Sequence, residues 1–367
     1  MPDKSLLAVP NVSEGRDQVA IASIARAFTG AGTARLLDVH CDADHHRSVF
    51  TLAGVQGGLS GALLAGTRAA VERIDVGAGR DAEQVGAHPH VGALDVMPLV
   101  YLETEQRGAA CAEALVIAHE IGEQLGVPVF LYGELAQGRT RAELRRGGVI
   151  GLARRLRDGE LRPDFGPPRL HPTAGATLVG AREPLVAFNL ELALPATVQD
   201  ARRIASLIRE GGAEGLPGLR AIGVALRRGG ARSKSPIPPA PARAGGTPFA
   251  NVLAESSVNP VVDASADPAS GLSAKPVVES SANPPEPSAN AAGRPGVDMV
   301  AQISMNVERP LDLPLRSIVE AVRRHADIAC AELVGLGPRA AFDGFPQDVP
   351  LPGFDPSAHT IENALGL

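Results

Sequence analysis

The feature that most limits the possible folds of this chain is a long segment of low complexity at residues 233–296. It is rich in Ala, Ser and Asn and holds 12 of the 31 prolines, several of which recur every eight residues, at Pro260, Pro268, Pro276 and Pro284. Its few large apolar side chains cannot offset the conformational entropy that is lost on ordering. We therefore expect a disordered surface insertion, with a tether that docks a partner as the alternative, and the folded core must come from the chain on both sides.

Strand and helix signals alternate on both sides of the insertion. Short apolar runs predict strands, and apolar residues at helical spacing predict the helices between them. Before residue 180 we expect strands at 6–10, 35–39, 48–53, 94–101 and 127–132, with helices at 21–28, 59–74 and 107–125. Beyond it we expect strands at 185–192, 219–226, 300–307 and 329–336, with helices at 198–209 and 315–325. The pattern predicts an α/β (α+β) fold with one subdomain at 1–181 and a second, ferredoxin-like βαββαβ subdomain at 182–367, whose central hairpin turn holds the insertion.

The overall charge and composition exclude several classes of protein. With 35 Lys and Arg against 41 Asp and Glu, the net charge of -6 provides no positive field that would attract nucleic acid. No apolar stretch is long enough to span a bilayer, and the N-terminus does not resemble a signal peptide, so we expect no membrane partner and a cytoplasmic location. The three well-separated cysteines, Cys41, Cys111 and Cys330, fit reduced thiols.

Two short segments, residues 38–47 and 88–95, hold five of the nine histidines. Histidine can both accept and donate a proton near neutral pH. His88 is held extended by Pro89, and Gly86 and Gly92 leave room beside it for a ligand. His88 is therefore a candidate general acid and base, although a histidine that only hydrogen-bonds within a tight loop fits the same pattern.

The first of these segments also contains potential metal ligands. His40, Asp42, Asp44 and His46 are of the types that bind divalent cations, which usually take three or four such ligands. Because neighbouring residues point to different faces of a strand or loop, only two of the four would reach one ion. A solvated polar loop is the alternative interpretation.

A third segment, residues 164–176, lies between the two predicted subdomains. Its prolines and glycines indicate a stiff connector rather than a flexible one. Ligand clefts often lie between domains, so Arg169 and His171 are candidates for substrate contacts, with a plain linker as the alternative.

Nine sequence strings along most of the chain outside the insertion point to one family. They lie at residues 9–15, 37–39, 88–89 followed by 92–96, 131–134, 163–167, 175–176, 187–189, 302–306 and 333–336. Together they resemble the glutamate formiminotransferase family, specifically the formiminotransferase part of the bifunctional formiminotransferase-cyclodeaminase. We expect the stand-alone transferase.

The resemblance implies transfer of the formimino group from N-formimino-L-glutamate to N5 of tetrahydrofolate, giving L-glutamate and 5-formiminotetrahydrofolate in histidine degradation. It implies two subdomains with mixed sheets that face each other across a cleft, a homodimer, tetrahydrofolate as co-substrate and no metal. By the same resemblance the catalytic residue is His88. The folate-binding residues are Gly166, Pro167, Arg169, His171, Thr173 and Gly175, and the substrate-binding residues are Asn11, His40, Asp42 and Arg47.

Three positions depart from the family pattern. His40 stands where the animal enzymes carry an acidic residue, Ala87 stands where Glu is frequent, and His90 stands where Arg is frequent. These differences affect the expected substrate more than the expected fold, and a related formyl donor would need the same histidine and the same cleft. Two other functions remain open: a metal-dependent hydrolase built on His40, Asp42, Asp44 and His46, and a folate-binding protein without catalysis.

Overall fold

The computed structural model describes residues 5–77, 90–227 and 299–367. His88, Ala87 and the predicted insertion at 233–296 lie outside the described residues. Within these ranges the strands form two sheets, one before and one after residue 183.

The larger sheet contains seven strands: β1 (Ser5–Ala8), β2 (Asn11–Val12), β3 (Ala34–Asp42), β4 (Arg47–Val55), β5 (Leu94–Val100), β6 (Val129–Leu131) and β7 (Thr177–Arg182). Strand β4 pairs with β3 on one side and with β1 and β2 on the other, and β1 and β2 also pair with β5. These pairs are antiparallel, whereas β5–β7 and β7–β6 are parallel. The larger sheet is thus mixed, as predicted.

Helices cover one face of this sheet and leave the opposite face for the rest of the molecule. The covering helices are α1 (Gln18–Thr29), α2 (Ser60–Arg73) and α3 (Arg107–Leu125). Because side chains alternate along a strand, Leu6 and Ala8 pack in the core under these helices. Leu7 instead belongs to a second apolar cluster, together with Val100 and Leu336. Two shorter helices, α4 (Arg141–Arg145) and α5 (Gly148–Arg157), follow β6.

The smaller sheet has the predicted βαββαβ order. It consists of β8 (Val186–Leu192), α6 (Val198–Ile208), β9 (Leu219–Arg227), β10 (Met299–Val307), α7 (Leu315–Arg323) and β11 (Ile328–Val334). Its strands lie in the order β11-β8-β10-β9, the arrangement of a ferredoxin-like fold. Two short helices, α8 (Pro356–His359) and α9 (Ile361–Leu365), end the described chain.

The prediction of mixed sheets in both subdomains is wrong for the smaller sheet, which is antiparallel throughout. The physical reason lies in the two helical crossovers. Strands β8 and β9 run in the same direction but are separated by β10, and β10 and β11 are likewise separated by β8. Every neighbouring pair therefore runs in opposite directions.

Strand β7 and helices α4 and α5 were not expected from the sequence. Strand β7 follows directly on the stiff connector, and its Gly180 breaks the apolar pattern of a strand. The structure explains this glycine, since a Cβ there would come within 2.8 Å of the Tyr132 ring. Strand β7 completes the parallel part of the larger sheet and carries Arg182 at its end.

Candidate active site

A cleft lies between the uncovered face of the larger sheet and the smaller sheet. It contains about 790 Å³ of space not filled by atoms, a volume that includes open solvent. From the larger sheet it is lined by alternate residues of neighbouring strands, such as Leu7, Val9, Val49, Thr51, Val96 and Val100. From the C-terminal part it is lined by residues that include Ala187, Asn306, Val334 and Leu336. The two sheets thus face a common cavity.

Four arginines give this cleft its chemical character. Arg47, Arg141, Arg145 and Arg182 all line it, and no acidic residue is among the described residues that do so. Burial, together with the neighbouring positive charge of Arg145, lowers the pKa of Arg47 to about 10. Burial likewise lowers the pKa of Arg182 to about 10. Both groups remain charged at neutral pH, so the cleft favours ligands with several negative charges.

Arg145 is held in place by a buried carboxylate. Its guanidinium forms an ion pair with Asp95, which is 2% exposed. The other oxygen of Asp95 accepts a hydrogen bond from the Val91 amide at 2.8 Å. Asp95 therefore connects the arginine cleft to the chain that follows His88. Arg141 lies on the same short helix as Arg145, with its guanidinium carbon 5.6 Å from the centre of the Tyr132 ring.

The histidines of the β3–β4 hairpin point to three different partners. His46, in a left-handed conformation with φ 48°, accepts a hydrogen bond from the Gly15 amide at 3.1 Å. His45 is buried, and its Nε2 lies 3.1 Å from Oε1 of Gln302 on β10. His40 faces Glu332 on β11, with 3.7 Å between Nε2 and Oε1.

The metal-ligand set predicted for the hydrolase is therefore not assembled. His46 turns towards Glu14 and Gly15, and neither it nor Asp44 joins His40 and Asp42. The sequence could not show this, because the left-handed backbone at His46 turns the His46 side chain away from His40 and Asp42. Over the described residues the structure instead groups His40 and Asp42 with Glu332, with one ligand atom of each lying within 4.8 Å of the others.

Of the predicted substrate residues, Asn11 and Arg47 line the arginine cleft. His40 and Asp42 are not among its lining residues, although their strand partners are close to it. His40 pairs with Val49 and Asp42 pairs with Arg47, and both of these partners line the cleft. Since paired residues share a face of the sheet, His40 and Asp42 lie at the edge of the same cleft.

The predicted folate-binding segment contains two glycines that the backbone requires. Gly166 and Gly175 have φ values of 78° and 68°. A Cβ at Gly175 would lie 2.2 Å from the Val91 carbonyl oxygen. His171 closes the turn between them, because its Nδ1 accepts a hydrogen bond from the Ala174 amide at 3.0 Å. Arg169 and Thr173 are exposed.

This segment also contacts the described chain on both sides of residues 78–89. The Val76 amide donates to the Thr173 carbonyl at 2.7 Å, and the Ala176 amide donates to the Val91 carbonyl at 2.9 Å. None of the six predicted folate-binding residues lines the arginine cleft. The segment lies instead beside the chain that leads to and from His88.

Sequence reasoning missed Arg141, Arg145, Arg182 and Asp95 as site residues. A signal was present for Arg182. In the parallel register between β5 and β7, Val96 pairs with Leu178 and Val100 pairs with Arg182. With β7 recognised as a strand, the alternation of faces would have placed Arg182 beside Val100 in the cleft.

Comparison with known proteins agrees with this architecture. The profile of the formiminotransferase domain, N-terminal subdomain, matches residues 5–182. The glutamate formimidoyltransferase of Streptococcus pyogenes is 36% identical over 226 residues, which cover 61% of this chain and 73% of that protein. The protein of the same name from Thermoplasma acidophilum is 36% identical over 206 residues, which cover 55% of this chain and 66% of that protein.

The alignment covers a smaller share of the bifunctional relatives. The formimidoyltransferase-cyclodeaminase of Gallus gallus is 38% identical over 212 residues, which cover 57% of this chain and 38% of that protein. The domain profile and these relatives all indicate the same protein family. The chain belongs to the formiminotransferase family. No helix in the described ranges is both long and apolar enough to cross a membrane.

Proposed function

We propose that this protein transfers the formimino group from N-formimino-L-glutamate to N5 of tetrahydrofolate. Family membership supports a transferase of one-carbon groups, and the arginine cleft is the observation that carries the choice of substrates. The donor carries two carboxylates, and tetrahydrofolate carries two more on its glutamate tail. Guanidinium groups bind carboxylates through paired, charge-assisted hydrogen bonds. Four arginines with no acidic lining residue suit such ligands.

His88 is proposed as the general acid and base. In this proposal it accepts the proton of folate N5 as that nitrogen forms a bond to the formimino carbon. It then returns a proton to the glutamate nitrogen as the bond from that nitrogen to the carbon breaks. His88 lies outside the described residues, but Val91 follows it by only three residues. Chain connectivity therefore limits the distance between their Cα atoms to about 11 Å. The Val91 amide in turn donates a hydrogen bond to Asp95, which forms the ion pair with Arg145.

The segment at 166–175 is proposed to bind the folate, as the resemblance implies. The contacts of Thr173 with Val76 and of Ala176 with Val91 support this proposal, because they bring the segment next to the chain on either side of His88. Asn11 and Arg47 are proposed to bind the donor. The substrate roles of His40 and Asp42 stay predictions, as do the homodimer and the boundary between subdomains near residue 181.

The experiment compares wild-type protein with His88→Ala after treatment with EDTA. Both receive tetrahydrofolate and formiminoglutamate, and free glutamate and 5-formiminotetrahydrofolate are measured. We expect wild type to form both products and His88→Ala to lose at least about a hundredfold in rate, the usual share of general acid-base catalysis. His325→Ala is the matched control, because His325 pairs with Glu214 just beyond α7, is not among the residues that line the arginine cleft and should not affect the rate.

The result also separates the proposed enzyme from a binding protein without catalysis. Tetrahydrofolate that binds to wild type without turnover would contradict the transferase. Equal rates in wild type and His88→Ala would contradict the role of His88 while leaving the transferase intact.

A further inference from the structure

We propose that His40, Asp42 and Glu332 bind a divalent transition-metal ion of the Zn²⁺ type where the larger sheet meets the smaller one. One ligand atom from each residue lies within 4.8 Å of the other two. His40 and Asp42 come from β3, and Glu332 comes from β11. Two ligands on one zinc ion lie about 3.3 Å apart, given metal-ligand bonds of about 2.0–2.1 Å. The observed separation of 3.7 Å between His40 Nε2 and Glu332 Oε1 needs an adjustment of only a few tenths of an ångström.

The His40 ring provides an independent sign of a missing ligand. Its Nε2 atom is buried and has no hydrogen-bond partner among the described residues. The side chain is only 11% exposed, and the distance of 3.7 Å to Glu332 is too long for a hydrogen bond. Buried polar atoms are almost always satisfied in native proteins. A cation between His40 and the two carboxylates would satisfy this nitrogen.

The two carboxylates are already oriented by other groups, as metal ligands usually are. Glu332 Oε2 accepts a hydrogen bond from Asn189 Nδ2 at 3.0 Å. Asp42 Oδ1 accepts from the amides of Asp44 and His45 at 2.9 and 2.8 Å. Each carboxylate thus has one oxygen held by hydrogen bonds. The second oxygen of Glu332 lies 3.7 Å from His40 Nε2, and that of Asp42 lies 3.7 Å from His45 Nε2, both beyond hydrogen-bond distance. An ion could therefore bind either oxygen without breaking a hydrogen bond. This is the arrangement of outer partners that fixes ligands in known metal sites.

The charges and ligand types favour one class of cation. Asp42 and Glu332 can neutralise the charge of a divalent ion. Asp38 adds a third negative charge close to His40, whereas the positive charge of Arg47 opposes the binding of a cation. An imidazole ligand favours Zn²⁺, Ni²⁺ or Cu²⁺ over Mg²⁺ and Ca²⁺.

The proposed ion has a structural consequence that does not depend on the transfer reaction. It would connect β3 of the larger sheet to β11 of the smaller sheet at the edge of the arginine cleft. Because an ion that binds only the folded state stabilises it by mass action, Zn²⁺ should raise the melting temperature of the protein. The transfer step itself remains independent of metal in this account.

The test is equilibrium dialysis of EDTA-treated full-length protein against Zn²⁺, with bound metal measured by elemental analysis. We expect one Zn²⁺ per chain in wild type and at least about a tenfold loss of affinity in His40→Ala and in Glu332→Gln, as for loss of an important contact to the metal. The matched controls are His325→Ala and Glu214→Gln. These residues form another histidine-carboxylate pair, 2.9 Å apart, and belong to no such group of three within the described ranges. Their zinc binding should equal that of wild type.

A spectroscopic measurement keeps the proposal testable if a variant is unstable. Co²⁺ in place of Zn²⁺ should give visible absorption bands in wild type, and Glu332→Gln, the most conservative change, should alter their position or intensity. Absence of stoichiometric zinc binding in wild type would overturn the proposal. Binding that persists in His40→Ala but is lost in His46→Ala would also overturn it, because the ligands would then be those indicated by the sequence pattern. Neither result bears on the proposed transferase, which is assayed after EDTA treatment.

Discussion

At the scale of single residues, the cleft depends on a buried ion pair. Arg145 faces the cavity, and Asp95 lies behind it with almost no exposure. The carboxylate also accepts the Val91 amide, so that it orients Arg145 and fixes the chain after His88 at the same time. A buried carboxylate can be retained at such a position only while its partner remains.

Removal of Arg145 should therefore destabilise the protein more than removal of a surface arginine. We expect Arg145→Met to lower the free energy of unfolding by about 3–5 kcal/mol, because it leaves the Asp95 charge buried without its partner. Asp95→Asn in the same protein should restore much of this loss, since the amide oxygen can still accept from Val91. Urea denaturation of the two single variants and the double variant measures both effects.

Arg146→Met is the matched control, because Arg146 is the next residue along the chain and is exposed. Its free energy of unfolding should stay within about 0.5 kcal/mol of wild type. Equal effects of Arg145→Met and Arg146→Met would contradict the structural role of the ion pair.

At the scale of elements, the sequence predicted most strands and helices because their apolar periodicity was clear. It also predicted the position of the β9–β10 hairpin and the βαββαβ order. It could not predict the left-handed turn at His46, the contact between His40 and Glu332, or the helices that carry Arg141 and Arg145. Each of these depends on tertiary contacts between residues far apart in the chain, which a local pattern does not contain.

The turn at residues 171–175 gives a test at this scale. Gly175 combines a φ of 68° with a close approach, since a Cβ would lie 2.2 Å from the Val91 carbonyl oxygen. Gly138 also has a positive φ, of 86°, but a Cβ there would meet nothing within 4 Å. Alanine at Gly138 should therefore cost about 1 kcal/mol of backbone strain.

Gly175→Ala should cost at least about 2 kcal/mol more than Gly138→Ala, because the backbone around Val91 must move as well. It should also slow the transferase, since Val91 lies three residues after His88. Chemical denaturation and the transfer assay check the two effects. Similar stability of the two variants would show that the turn can shift without cost.

At the scale of the whole molecule, the low-complexity insertion lies in a single hairpin. Strands β9 and β10 pair along their length, and Arg227 at the end of β9 is directly opposite Met299 at the start of β10. Two residues can join strands that are paired in this way. The two sheets and the cleft between them are formed by residues outside the insertion.

Replacement of residues 228–298 by Asn-Gly should therefore leave a folded and active protein. We expect an unchanged transfer rate and an equal or higher melting temperature, because a shorter loop loses less entropy when the hairpin closes. Circular dichroism and the transfer assay measure these properties. A loss of activity in a folded deletion variant would instead assign the insertion a part in catalysis.

At the scale of the whole molecule, the proposed reaction passes the imino nitrogen of the donor to the folate. The most direct measurement uses formiminoglutamate labelled with ¹⁵N at the imino nitrogen, together with tetrahydrofolate and EDTA-treated protein. We expect the label to appear in 5-formiminotetrahydrofolate in an amount equal to that of the glutamate released. Release of the label as ammonia or formamide, with the folate unchanged, would show hydrolysis and would contradict the proposed reaction.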